Sequence, residues 1–370
     1  LSTRRIRLLA LELRYGDGLA LHTATSGHVP GLNELRLVVE EGGALAALGA
    51  SRTNIEYLNG TPRPMLEAEI LAAAPRMDWA LPWRDFTAAM DAAMPTLSAP
   101  ARMLFEMAAQ DGAARAAGLP LAVALGAGAP AAASRTNQTL FWCDDATLLR
   151  RAEAYVARGF TELKLRIAVQ DFSDDLRRLR LLRERFGDGI SLSADANGRW
   201  TEAEAPARLD VLGELGLDYL EQPLPFDDWA GAARLAASAP VPLMFDESLS
   251  GMAAVARLAE TRAVPLAHLK LAKLGGLDRL MAAARQLQSA GIGVMVGQMN
   301  EGVVSTLAAT AAATALGIGL RELYGGDGLQ WDPAGALDYS DGALHLPPGA
   351  GLGLPAHAQE GCTQLWEHMA

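Results

Sequence analysis

ISLSADA (190–196), DYLEQP (218–223) and PLMFDES (242–248) share one plan: each climbs through β-prone apolar residues and ends on a carboxylate, Asp195, Glu221 and Asp246 in turn. Runs of the same kind lie on either side. TNQTLFW (136–142) and TELKLRI (161–167) precede them, and LAHLKLA (266–272), GVMVGQM (293–299) and LRELYGG (320–326) follow. Between them stand amphipathic stretches such as DATLLRRAEAYVARG (145–159), DFSDDLRRLRLLRERFG (171–187), LDRLMAAARQLQSAG (277–291) and EGVVSTLAATAAATALG (301–317). Their apolar residues recur every three or four positions and each ends at glycine, which is the pattern of a helix and its stop. The runs begin roughly 25 residues apart, the spacing of βα units joined by right-handed crossovers. Eight strands with seven helices between them predict an α/β fold, a (β/α)7β variant of the closed TIM barrel. An open doubly wound sheet is the alternative, but no GxGxxG follows the first strand.

The flanks differ. Residues 1–125 open with hairpin-like runs, RRIRLLALEL (4–13), GLALHTATSG (18–27) and ELRLVVEE (34–41), and continue as Ala-rich helix, which predicts an α+β capping domain. GLPLAVALGAGAPAAAS (118–134) is the join, residues 126–345 the barrel, and residues 346–370 a segment returning to the cap. The start, LSTRRIRLLALELRYGDG, has too short an apolar core for a leader and reads as a strand. No apolar run reaches the roughly 18 residues of a membrane span. Two cysteines, Cys143 and Cys362, exclude a disulfide scaffold and suit the cytoplasm. A net charge of −11 argues against nucleic acid as a partner but leaves small anions open, because a local cation outweighs a global charge.

The 32 basic side chains include only three lysines, Lys164, Lys270 and Lys273. Arginine stays protonated, whereas buried lysine can lose its proton and act as a base, so each lysine in this Arg-rich chain is a candidate for proton chemistry. Two of them fall on strand ends, where barrel active sites are built. Side chains alternate along a strand, so Lys164 shares a face with Arg166, Asp195 with Asn197, and His268 with Lys270. Three carboxylates on adjacent strands would repel one another, and a hard divalent cation with oxygen ligands removes that conflict. A substrate carboxylate on such an ion would lie between Lys164/Arg166 and Lys270, an arrangement suited to removing the proton next to the carboxylate. Surrounding positive charge is expected to lower the lysine pKa toward working pH. Lys273, three residues past Lys270, reads as a loop or surface residue.

At these residues the sequence resembles the enolase superfamily, in particular the mandelate racemase/muconate lactonizing enzyme group. LKLR is similar to the family's KxK, and SADANGRW, YLEQPLP and FDES resemble its three metal-ligand motifs. LKLAKLGGL resembles the sixth-strand lysine motif of the muconate lactonizing subgroup. The resemblance implies one Mg²⁺ per chain on Asp195, Glu221 and Asp246, with Lys164, Arg166 and Lys270 as the acid/base and charge-stabilising groups. Arg166 stands where the family's second lysine sits. Either it only stabilises charge and Lys270 is the sole base, or Lys164 takes over on that face. The first favours cycloisomerisation or β-elimination; the second keeps racemisation or epimerisation open. A dehydratase of acid sugars or hydroxy acids is the alternative on this scaffold, and a Schiff-base lyase using Lys270 a further one. Asp327 in YGGDGLQ matches one member of an aspartate pair that holds an ammonium group in related epimerases, and a glycine replaces the other, which argues against a dipeptide. The loop HTATSGHVPGLNE (22–34), with His22 and His28, is the expected lid, and Asn197, Gln298 and Glu301 the expected pocket residues; Asn137 and Thr139 on the first strand are further candidates. The expected partner is a small carboxylate substrate, and the expected assembly a homo-oligomer.

Overall fold

A computed structural model describes residues 3–16, 19, 21–355 and 361–370. The start of the run 18–27 and residues 356–360 of the final segment lie outside the described residues. All eight expected barrel strands form, at Gln138–Leu140, Glu162–Arg166, Ser191–Asp195, Leu220–Glu221, Leu243–Phe245, Leu266–Lys270, Gly293–Gly297 and Leu320–Glu322. They pair in chain order as one parallel sheet. A backbone hydrogen bond from Asn137 N to Arg321 O, 3.0 Å, links the eighth strand to the start of the first and brings the barrel close to closure. The four helices quoted above form at Asp145–Ala157, Phe172–Phe186, Leu277–Ser289 and Val303–Ala315.

The strand period sorts the side chains. Leu163, Leu165, Leu192, Ala194, Ala267 and Leu269 point outward into the layer of apolar helix faces and are essentially inaccessible. The alternate positions point inward. Low in the barrel they are apolar, with Tyr219, Met244 and Met295 forming a separate cluster that plugs the interior. Higher up they are charged. The polar mouth therefore sits on a filled, water-excluding floor, and its polarity follows from strand parity.

The cap is an antiparallel sheet in the order Thr363–Met369, Arg4–Leu13, Leu32–Glu41, Ala44–Arg52. The chain end thus completes the sheet that its beginning starts. The strand Ala44–Arg52 is an addition to the expected runs, because its alanines and glycine carry little β signal. Gly49 is required there: a Cβ would overlap the carbonyl of Leu104 on the packed helix. That helix, Ala99–Ala116, is buried nearly all round, as a helix between two layers must be. Leu104, Phe105 and Ala108 join the cap core, and Met103 and Met107 the barrel core.

Buried charge also ties the cap to the barrel mouth. Arg102 donates to the Gly275 carbonyl at 2.6 Å and to Asp278, and Glu106 accepts from Leu277 N at 2.7 Å and Asp278 N at 3.1 Å. These contacts hold the turn that follows Lys270. Arg36, fully buried, places Nη2 2.7 Å from both Asp332 oxygens, and Asp332 Oδ2 accepts from Val303 N at 3.0 Å. Asp332→Ala leaves a buried guanidinium short of its main counter-charge and is expected to destabilise the protein by about 3–5 kcal/mol. Urea denaturation measures this; a loss under about 1 kcal/mol would mean that the pair does not hold cap to barrel.

Candidate active site

Lys164 and Arg166 rise from the second strand, Asp195 from the third, Glu221 from the fourth, Asp246 from just beyond the fifth, and Lys270 from the sixth. Asp195 is laterally paired with both Arg166 and Glu221, so the three point the same way. All six side chains are at most 5% exposed by residue. Each carboxylate holds a cation. Asp195 Oδ2 accepts from Arg166, Glu221 Oε2 from Lys164 at 2.8 Å, and Asp246 Oδ2 from Lys270 at 2.6 Å.

Five further groups complete the site. Glu322 on the eighth strand pairs with Lys164 and lies 3.4 Å from Arg166 Nη2. Asn137 Nδ2 donates to Glu322 Oε2 at 3.4 Å. Glu247, next to Asp246, accepts from Asn197 Nδ2 at 3.0 Å and has its other oxygen buried without a partner. His268 Nδ1 lies 2.8 Å from Glu221 Oε1. Lys273 corrects the expectation of a surface residue: it is 5% exposed and binds Asp246 through Oδ1 and, at 2.5 Å, through its carbonyl. The turn Leu271–Leu274 directs it back under the strand end. Strand parity could have flagged Glu322, two residues before Tyr324 in LRELYGG, but nothing local marks Lys273, whose position depends on that turn.

Local backbone sets the acids. Asn197 has φ 47°, a left-handed conformation that asparagine tolerates, and its N–H bonds back to Asp195 Oδ1 at 2.8 Å. Gln222 has φ 38° and its side-chain oxygen accepts from Asp246 N at 3.0 Å and Ser248 N at 3.2 Å, which locks the FDES turn.

Burial raises the pKa of Glu221 and Asp246, but their partners outweigh it: Lys164 and the hydrogen bond from His268 hold Glu221 well below the usual range, and Lys270 and Lys273 hold Asp246 below it. Burial pulls Lys270 down, but Asp246, with Glu221 and Glu322, more than reverses this and raises it. That corrects the expectation of a lowered lysine. Opposite charge at 2.6 Å outweighs the more distant cations.

The cavity above these groups encloses about 40 Å³. Arg166 and Lys270 line it, from strands on opposite sides of an eight-membered ring; Asn197, Asp246, Glu247 and Gln298 contribute as well. Lys164 does not reach it, being sealed beneath by Glu221 and Glu322. Thr23, Thr25, Ser26 and Val29 of the expected lid cover it, joined by Leu21, Tyr57 and Leu58. His28 lies elsewhere: it is exposed, because in the strand Gly27–Val29 it alternates with the inward Val29. Asp327 is also outside the cavity, gripped by Arg158 Nη2 at 3.0 Å and Gln138 Nε2 at 2.9 Å. Thr25, Tyr57, Asn197 and Glu247 are shared with a wider vestibule of about 800 Å³ between cap and barrel.

Gln298 Oε1 accepts from Thr306 Oγ1 at 2.9 Å, leaving its buried Nε2 without a partner. Glu301 is buried, with one oxygen near Met299 N at 3.2 Å and the other unpartnered. Burial and Glu34 push it up to about 7. The folded chain then holds this proton more tightly than the unfolded chain, so stability falls as pH rises from about 4.5 to about 7, on the order of 3 kcal/mol. Glu106, also about 7 through burial and Asp278, acts in the same direction. Glu301→Gln is expected to make the urea midpoint less steeply dependent on pH between about 4.5 and 7, and an unchanged slope would mean that Glu301 is ionised in the folded state.

Among the described residues, Glu221, Asp246 and His268 form a group whose metal-binding atoms lie within 4.8 Å of one another. Asp195 is turned toward Arg166 and Asn197 instead. No helix among the described residues is long and apolar enough to cross a membrane.

Known proteins share this architecture. Residues 147–360 match the family described as Enolase C-terminal domain-like. The L-Ala-D/L-Glu epimerase of Bacillus subtilis is 30% identical over 258 residues, 69% of this chain and 70% of that protein. Muconate cycloisomerase 1 of Pseudomonas putida is 33% identical over 204 residues, 53% of each. The crystal structure of muconate lactonizing enzyme from Pseudomonas fluorescens, complexed with muconolactone, superposes with a TM-score of 0.84 at 27% identity, covering 94% of this chain and 95% of that one. The chain belongs to the mandelate racemase/muconate lactonizing enzyme group of the enolase superfamily and is an enzyme of that superfamily. Relatives that match it include epimerases, racemases and cycloisomerases.

Proposed function

We propose that this enzyme removes the proton α to the carboxylate of a small acid, with Lys270 as its base and Arg166 facing it as a fixed cation. The observation that carries this reading is the placement of these two side chains on opposite walls of one small acidic cavity. Arginine remains protonated, so it stabilises the enolate charge without exchanging protons. Lys164, sealed below, supports Glu221 and Glu322 and does not replace it as a base. A one-face reaction, cycloisomerisation or β-elimination, follows.

Five carboxylates, Asp195, Glu221, Asp246, Glu247 and Glu322, meet four cations, Lys164, Arg166, Lys270 and Lys273. The unpartnered Glu247 oxygen shows the same surplus. A divalent ion together with a monocarboxylate substrate would balance these charges, and an all-oxygen donor set suits Mg²⁺, with Asp195, Glu221 and Asp246 as its holders. Bound there, Mg²⁺ would supply Lewis-acid stabilisation of the developing dianion. Lys270 becomes available as a base once Asp246 is committed elsewhere, because that ion pair is what raises its pKa. The unpartnered Gln298 Nε2 is the free donor for a substrate oxygen. Asp327, already paired with Arg158, is not a seat for a substrate ammonium group, which favours acids without one. The cap lid excludes water. We further propose a cytoplasmic location, which the two free cysteines support, and a homo-oligomeric assembly.

Incubation in D₂O with a panel of carboxylic acids tests the proposal. Deuterium should enter recovered substrate with its configuration kept, or an alkene or lactone should form. Racemised substrate would require a second base and overturn the one-face reading.

A further inference from the structure

His268 takes no part in the chemistry above, yet it is among the most enclosed polar groups of the site, with no exposed surface. Its ring bridges the fourth and seventh strands. Nδ1 lies 2.8 Å from Glu221 Oε1. Nε2 has no hydrogen-bond partner and faces Gly297, where a Cβ would overlap it. The other oxygen of Glu221 holds Lys164 Nζ at 2.8 Å.

Two roles are open to an imidazole beside Glu221 and Asp246. As a metal ligand through Nδ1 it would carry its proton on Nε2, a buried N–H with no acceptor. As a donor from Nδ1–H to Glu221 it leaves only a lone pair unpaired at Nε2. Buried orphan N–H groups are rarer than under-satisfied acceptors, so the second arrangement is favoured. It also keeps the 2.8 Å contact as it stands.

We infer that His268 is a positioning residue for Glu221: as the Nδ1–H tautomer it clamps Oε1 and sets the rotation of the carboxylate that holds the ion. Gly297 is the socket that makes room for the ring. The inference rests on the metal reading above. Partners that orient a metal's ligands govern its affinity, and losing one weakens binding about 10–100-fold.

The test is Mn²⁺ binding to metal-stripped protein, followed by electron paramagnetic resonance. Wild type is expected to bind Mn²⁺ with no nitrogen coupling from His268. His268→Leu should bind about 10–100-fold more weakly. His268→Asn, whose amide can donate to the same oxygen, should stay within about 3-fold of wild type. Nitrogen-15 NMR of wild type should show the Nδ1–H tautomer, independently of how either variant folds. Nitrogen coupling that vanishes in His268→Asn would make His268 a ligand and overturn the inference. So would an Nε2–H tautomer, or an unchanged affinity in folded His268→Leu. Failure of wild type to bind Mn²⁺ at all would overturn the metal reading, and the inference with it.

Discussion

Lys270→Ala is expected to lower α-proton exchange in D₂O by about 10²–10⁴-fold, the usual contribution of a positioned general base. Lys270 is the lysine that reaches the cavity directly above the acids; Lys164 is sealed beneath it and Lys273 is committed to Asp246. The loss should fall on kcat more than on KM, because the amine acts where the proton moves. Removing Lys270 also leaves Asp246 with Lys273 as a remaining partner, so the fold should survive and the measurement stay interpretable. Exchange that persists at the wild-type rate in Lys270→Ala would remove this residue as the base. Covalent trapping of substrate on Lys270 by borohydride would instead favour a Schiff-base reaction.

Chelation is expected to reduce turnover by about 10³-fold or more, since a Lewis acid at the substrate carboxylate is worth several kcal/mol and each 1.36 kcal/mol is tenfold in rate. Added Mg²⁺ should restore it. The charge inventory argues for this size of effect. Without a divalent ion, Lys270 and Lys273 both lie on Asp246, and the base is held by its own counter-ion. The result is read as α-proton exchange before and after chelation, at fixed ionic strength. Full activity in rigorously metal-free protein would reject the ion's role and leave the acids as structural partners of the lysines.

Much of this was legible beforehand for one reason: the barrel repeats a two-residue period eight times. Parity alone sorted Lys164 from Leu163 and Leu165 and put His268 on the face of Lys270; the same parity would have flagged Glu322, which the sequence reading did not single out. Parity says nothing about depth. Lys164 and Arg166 share a face, yet only Arg166 lines the cavity, because Glu221 and Glu322 hold Lys164 below. The lid shows the same limit. The loop 22–34 supplies Thr23, Thr25 and Ser26 to the cavity, while His28 alternates outward with Val29. Asp327 was placed near the site by the resemblance to related epimerases and is held away from it by Arg158, a partner 169 residues away in the chain.

From the amino-acid order alone came the alternating pattern, the eight strands, the acids at their tips and the scarcity of lysine. These are local properties, carried by neighbours two to four residues apart. Which cation meets which acid, which lysine reaches the cavity, and how Lys273 returns to Asp246 were decided only by tertiary structure. Charges separated by dozens of residues compete for partners inside a low-dielectric mouth, and that competition is settled by distances that exist only once the barrel has closed.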